Sequence, residues 1–160
     1  MKRIPLTQGY YAIVDDEDYE ALCQWKWHAR PHRNTIYASH NIGRGRTIDM
    51  HQLIMPLPKG YIIDHINMNG WDNRRKNLRQ ATCKENLRNS AGHKDRKSKY
   101  KGVHWNNYNP KRRRGKWVAQ ICVDGKQTHI GRFNTEIEAV LAYNRKAKEC
   151  FGKFARLNNV

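Results

Sequence analysis

The chain has 160 residues, room for one ordinary domain or for two small ones on thin cores. Thirty-one Lys and Arg against 14 Asp and Glu give a formal net charge of +17, and a mean hydropathy of -0.98 goes with no apolar run near the roughly 18 residues of a membrane span. A membrane or secreted protein is not expected, and the basic tip MKRIP lacks the apolar stretch of a signal peptide behind it, so the expected setting is a cytosol or nucleoid. Five Trp, eight Tyr and three Phe argue against a disordered polycation. The charge points to a polyanionic partner, nucleic acid ahead of an acidic membrane surface. Cys23, Cys83, Cys122 and Cys150 lie far apart without a CxxC pair, so neither a structural zinc nor a disulfide framework is expected.

Charge divides the chain. Residues 1–90 carry 14 basic and 9 acidic side chains, net +5, and residues 91–160 carry 17 and 5, net +12. The polar stretch SAGHKDRKSK, Ser90 to Lys99, reads as a linker, which predicts a first domain over 1–90, a linker over 91–99 and a second domain over 100–160.

In chain order, Tyr11 to Val14 and Thr35 to Ser39 read as strands around a helix-like acidic segment, Asp15 to Leu22. Trp25 and Trp27, two apart, suit one face of a strand. Ile48 to Met55 reads as a short helix stopped by PLPKG. After YIIDHI and the turn-rich NMNGWDNRR, the spacing of Leu78, Cys83 and Leu87 predicts a final helix over KNLRQATCKENLRN. Beyond the linker, YKGVHWN, KWVAQICVDG and KQTHIGRF read as three strands, with NPKRRRG as one hairpin loop and Asp124-Gly125 as a tight turn. A helix follows, capped at Thr135 and stopped at Gly152, whose stripe of Ile137, Val140, Leu141, Tyr143, Ala147 and Phe151 is expected to lie across the strands.

Chemistry concentrates in DHINMNGWDNRRKNLRQATCKEN, Asp64 to Asn86, where an acid and a histidine precede an amide-rich loop and a further amide stands on the far side. A hard divalent ion takes oxygen ligands, so an Asp carboxylate and an Asn amide oxygen, completed by waters and a phosphate oxygen, make a magnesium shell. His65 can take a proton from a water that attacks phosphorus. His51, on the short helix, either packs or binds a phosphate. Arg74, Arg75, Lys76 and Arg79 read as phosphate-facing, with a solvated face as the alternative.

These residues resemble the HNH endonuclease family, above all its phage and intron-associated homing type. The resemblance covers residues 48–89, as DH, NRRKNLR and KEN, and VDDEDYEALCQWKWHA is similar to the leader of such phage enzymes. It implies a ββα-metal nuclease domain in which Asp64 binds metal, His65 is the general base, Asn77 braces the loop and Asn86 is the second metal ligand. Asn86 stands where many relatives have His, which resembles the one-metal subgroup. One divalent ion is implied, magnesium foremost with manganese as the alternative.

YKGVHW, GKWVAQI, HIGRF, TEIEAVLAYNRKAKECFG and FARLN resemble the plant ethylene-response-factor, or Apetala-type (AP-two), DNA-binding domain. That implies a three-stranded antiparallel sheet laid in the major groove and backed by one helix, giving an α+β protein of two modules. His104, Asn106, Lys116, Gln120 and Arg132 become candidates for the DNA face, and Arg113 and Arg114, in the basic run 111–114, for phosphate contacts. Trp105 and Trp117 suit stacking on the backbone or the core equally. The expectation is a site-selective, metal-dependent endonuclease on double-stranded DNA, its oligomeric state open with a monomer favoured. The alternative is a DNA-binding regulator with an inactive HNH unit.

Overall fold

The computed structural model describes residues 1–32, 35–90, 97–107 and 116–160. The chain divides into two compact units, Met1–Lys84 and Glu85–Val160. Most of the expected linker, and the NPKRRRG loop with Arg113 and Arg114, lie outside the described residues.

In the first unit β1 (Lys2–Pro5) pairs antiparallel with β2 (Tyr11–Val14), and α1 (Asp16–Cys23) follows, with Asp16, Glu17 and Asp18 at its positive N-terminal end. Strands β3 (His28–His32), β4 (Thr35–Asn41) and β5 (Thr47–Asp49) form an antiparallel sheet in that order. Asp49 and Gln52 form a capping box at the start of α2 (Met50–Ile54). The antiparallel pair β6 (Ile62–His65) and β7 (Leu78–Ala81) then leads into α3 (Cys83–Arg88). One core gathers Ile4, Ala12, Val14, Leu22, Trp27, Ala29, Ala38, Met50, Ile54 and Leu78.

Three expectations for this unit need correction. Trp25 and Trp27 precede β3 and lie in no strand: Trp27 is buried and its indole N–H donates to the Leu22 carbonyl at 2.8 Å, while Trp25 is exposed, and both rings meet His40 edge-on. Ile48 belongs to β5, and the helix starts two residues later. The single helix over 76–89 is divided into β7 and α3. Its presumed stripe is not one, since Leu78 is buried whereas Leu87 is 69% exposed and Cys83 is exposed. Arg79 stands directly across from Asp64, and that charged cross-strand partner favours a strand where local spacing suggested a helix.

In the second unit β8 (Val103–Asn106), β9 (Lys116–Val123) and β10 (Lys126–Phe133) form an antiparallel sheet in the order β10-β9-β8. Asp124 and Gly125 turn the chain between β9 and β10 at φ 49° and 81°, the positive values a two-residue turn of this kind needs. Thr135 and Glu138 form a capping box on α4 (Glu136–Phe151). Ala119 of the sheet and Ala139 and Ala147 of the helix are fully buried, so the helix lies close against the strands, with Val103, Ile121, Val140, Tyr143 and Phe151 filling the interface. Of the expected stripe, Ile137 and Leu141 lie outside, both exposed, and Ala139 replaces them. Asn158, in the closing FARLN, exchanges hydrogen bonds with Asn144 and with the backbone of Lys101. The Lys101 ammonium donates to the carbonyls of Arg88 and Ser90, which caps the last turn of α3 from within this unit. Burial pushes its pKa down to about 8. Among the described residues no helix is long and apolar enough to cross a membrane.

Gly102 has φ +74°, and a Cβ there would lie 2.1 Å from the Tyr143 ring and 2.6 Å from the Gln120 carbonyl. Gly102→Ala is expected to destabilise the second unit by about 3 kcal/mol. Gly125→Ala, at φ +81° with nothing within 4 Å, should cost only about 1 kcal/mol. Urea denaturation of the full chain compares the two.

Candidate active site and sheet face

Strand β6 ends on Asp64 and His65, both 5% exposed. Asp64 Oδ2 accepts from Arg79 Nε at 2.8 Å and Nη2 at 2.6 Å, and this buried ion pair spans the two strands. From His65 the chain enters a loop, residues 66–77, held together by its own amides. Asn67 Oδ1 accepts from the Asn69 backbone, and its Nδ2 donates to Asp72 Oδ2 at 2.9 Å. Asn77 closes the loop by accepting from the Asn67 backbone at 3.0 Å and donating to the Asp72 carbonyl at 2.7 Å. The loop is also tied to β2, because Ile13 N donates to the Trp71 carbonyl and Asn73 N to the Ile13 carbonyl, both at 2.8 Å. Gly70 is required where the loop meets β4, since a Cβ would lie 2.7 Å from the Ile36 carbonyl and from the Tyr37 ring.

Asn73, fully buried, sits with Oδ1 3.2 Å from His65 Nε2 and donates its amide to the Trp71 carbonyl. The donated amide turns the oxygen toward the imidazole, so Nε2 carries the proton and Nδ1 keeps the lone pair. Burial holds the His65 pKa below its ordinary value, against the raising effects of the Asn73 hydrogen bond and of Asp64, Asp72 and Asp49. The ring is therefore neutral near pH 7, the state a proton acceptor needs. His51 packs edge-on to His65 with ring centroids 5.1 Å apart, and Tyr37 lies 5.5 Å from His51 and 5.7 Å from His65. Burial, then the neighbouring His65, pushes the His51 pKa down to about 4.

Among the residues expected to face phosphate, Arg74 pairs with Asp72 at 2.6 Å, Arg75 with Asp18 at 2.6 Å and Glu17 at 2.7 Å, and Arg79 with Asp64. The Arg74 hydrogen bond holds the Asp72 carboxyl below its ordinary range. Asn86 stands on α3. Among the described residues no group of three or more His, Cys, Asp or Glu is placed to hold a metal ion, and the four cysteines are free. Sequence reasoning did not single out Asn73, Asp72 or Tyr37. The DN of WDNRR was the available signal for the first two, whereas Tyr37 lies far from the motif and carries none.

Strand register sorts the second unit's candidates. Val118 pairs with His104 on one side and Arg132 on the other, Lys116 pairs with Asn106, and Gln120 with His129. Directly paired residues share a face, and so do residues two apart. His104, Asn106, Lys116, Gln120 and Arg132 therefore occupy one face, opposite the face of Ala119 and Ile121 that covers α4. His129, which the sequence reading passed over, joins them through the bulge between His129 and Gly131, where the count of two resets. Trp105 and Trp117 lie on the helix side, ring centroids 5.2 Å apart, with Trp117 against the core. His104 Nδ1 is buried and has no hydrogen-bond partner among the described residues.

The sequence model of the HNH endonucleases matches residues 56–88, which include the β6–β7 pair and α3. Protein 3.8 of Escherichia phage T7 is 38% identical over 101 residues, 63% of this chain and 78% of that protein. The uncharacterized HNH endonuclease L560 of Acanthamoeba polyphaga mimivirus is 27% identical over 159 residues, 96% of this chain and 77% of that protein. The chain belongs to the HNH endonuclease family. Its C-terminal region is similar to dehydration-responsive element-binding protein 2C of Arabidopsis thaliana, 43% identical over 61 residues, 37% of this chain and 16% of that protein. No solved structure matches.

The two buried histidines predict acid sensitivity. Between pH 6.5 and about 4 the unfolded chain takes up a proton on His51 that the folded chain does not. Stability is thus complete above pH 6.5 and falls as pH drops toward 4, by roughly 1 kcal/mol per pH unit for this group. Urea midpoints measured across that range should fall for the wild type and fall less steeply for His51→Phe, in which His65 remains.

Proposed function

We propose that the protein is a site-selective, divalent-metal-dependent endonuclease of double-stranded DNA, of the phage or mobile-element kind, acting in the host cytosol or nucleoid. The first module cuts and the second selects where. The observation that carries the reading is the buried Asp64-His65 pair at the end of β6, its imidazole oriented by Asn73 with Nδ1 left as the basic nitrogen. The phage and viral relatives support it.

In this reading His65 accepts a proton from a water that attacks phosphorus, and Asn77 keeps the 66–77 loop closed around it. Asp64 and Asn86 would be the oxygen donors for one divalent ion in a ββα-metal domain. The donor set suits a hard ion such as magnesium or manganese, since one carboxylate and one amide leave positions for waters and a substrate phosphate, and no thiolate joins them. When bound, such an ion supplies positive charge for the departing oxygen. Arg79 holds the Asp64 carboxylate in place, and Arg74 and Arg75 would reach phosphate only by exchanging their carboxylate partners. In the second module the face of His104, Asn106, Lys116, Gln120 and Arg132 presents donors and acceptors to base edges in the major groove, with Arg113 and Arg114 on phosphates.

The deciding experiment is digestion of supercoiled plasmid with magnesium and with EDTA. Wild type should cut only with magnesium, and His65→Ala should lose about 10²–10⁴-fold in rate with DNA affinity nearly intact. Binding without cutting by the wild type would favour the regulator alternative.

Affinity should be steeply salt-dependent. With about six to eight phosphate contacts, log K should fall with log salt at a slope of roughly -5 to -7. Fluorescence anisotropy on duplex DNA measures it, and a slope of about -1 would mean that the +17 charge is solvated surface.

A further inference from the structure

His51 has no assigned part in the reaction just described, yet its placement is costly and specific. The capping box of Asp49 and Gln52 fixes the start of α2, and Arg30 fixes Asp49 in turn through contacts of 2.9 and 2.6 Å. Ser39 donates to the same carboxylate. His51, second residue of this short helix, is thereby held against Tyr37 and at right angles to His65. If packing were its whole role, a phenylalanine would fill the space without the desolvation penalty that burying an imidazole carries.

Among the described residues no hydrogen bond holds the His51 ring, whose aromatic contacts are the rings of Tyr37 and His65. Among the described residues the one sealed side-chain polar atom without a partner is His104 Nδ1, so the His51 nitrogens are not closed off from solvent. A neutral imidazole carries one N–H donor and one acceptor. A phosphate attacked by a water held on His65 lies within about 6 Å of that ring, two hydrogen-bond lengths away. The His51 ring centroid is 5.1 Å from it.

We propose that His51 is a second substrate-contacting residue of this site, donating its imidazole N–H to a non-bridging oxygen of the scissile phosphate. The inference rests on the endonuclease reading. It assigns His51 no proton transfer: the ring stays neutral and stabilises charge that grows on the phosphoryl oxygens as the water adds.

The test uses the full-length protein, supercoiled plasmid and magnesium. His51→Phe keeps a ring against Tyr37 and His65 but removes the donor, and is expected to lower kcat about 10²-fold with KM changed by less than about threefold. His51→Gln, which restores an amide N–H, should recover part of that loss. A readout that does not depend on the folding of either variant is NMR of the wild type with labelled histidine. On addition of a mixed-sequence DNA duplex in EDTA, the His51 ring resonances should shift. Full-rate cleavage by His51→Phe, or His51 resonances unmoved by DNA, would overturn the proposal. The endonuclease reading fails separately, if His65→Ala cuts as fast as the wild type.

Discussion

A carboxylate buried on β6 and a guanidinium directly opposite it on β7 set the geometry on which the rest of the first unit depends. Asp64 and Arg79 are 5% and 13% exposed at their side chains, so removing either would break a deeply buried ion pair, at a cost of about 3–5 kcal/mol. Such a pair adds little net stability compared with apolar residues, but it specifies register strongly. A slip of one residue would separate the charges and turn each side chain of β7 to the other face. With Arg79 opposite Asp64, His65 falls opposite Leu78 and the ends of the 66–77 loop are fixed.

Within that frame the loop is stabilised by amides and not by regular structure. Asn67, Asn73 and Asn77 supply donors and acceptors to the loop backbone, and Asp72, itself neutralised by Arg74, links Asn67 to Asn77. The same network orients the His65 imidazole through Asn73. The second unit achieves order differently. Small residues on β9 and α4 allow close packing on one face of the sheet, and the other face is left to polar side chains whose positions follow from strand register alone.

Several arginines that look in sequence like a phosphate-binding run are paired with nearby acids: Arg74 with Asp72, Arg75 with Asp18, and Arg79 with Asp64. Net charge counts side chains and cannot register which acids they meet. The excess of the second half, net +12 over residues 91–160, therefore says more about an electrostatic partner than the basic cluster beside the loop does.

Strand and helix types in the second unit were legible in the sequence because alternation, the Asp124-Gly125 turn and the Thr135 cap are local signals with local causes. So was the family likeness of the motif from Asp64 to Asn86, which rests on residue types and their spacing alone. The division of 76–89 into strand and helix was not legible, because a partner on β6 overrides helical spacing. Nor was the exposure of Ile137 and Leu141, which depends on which side of α4 meets the sheet. Asn73 beside His65, and His51 and Tyr37 against the same ring, were decided by tertiary structure alone. Contacts between residues 8, 14 and 28 positions apart leave no periodic trace in a sequence. They arise only when β2 and β4 hold the loop in place, through Ile13 and Thr35, and α2 is capped at its start.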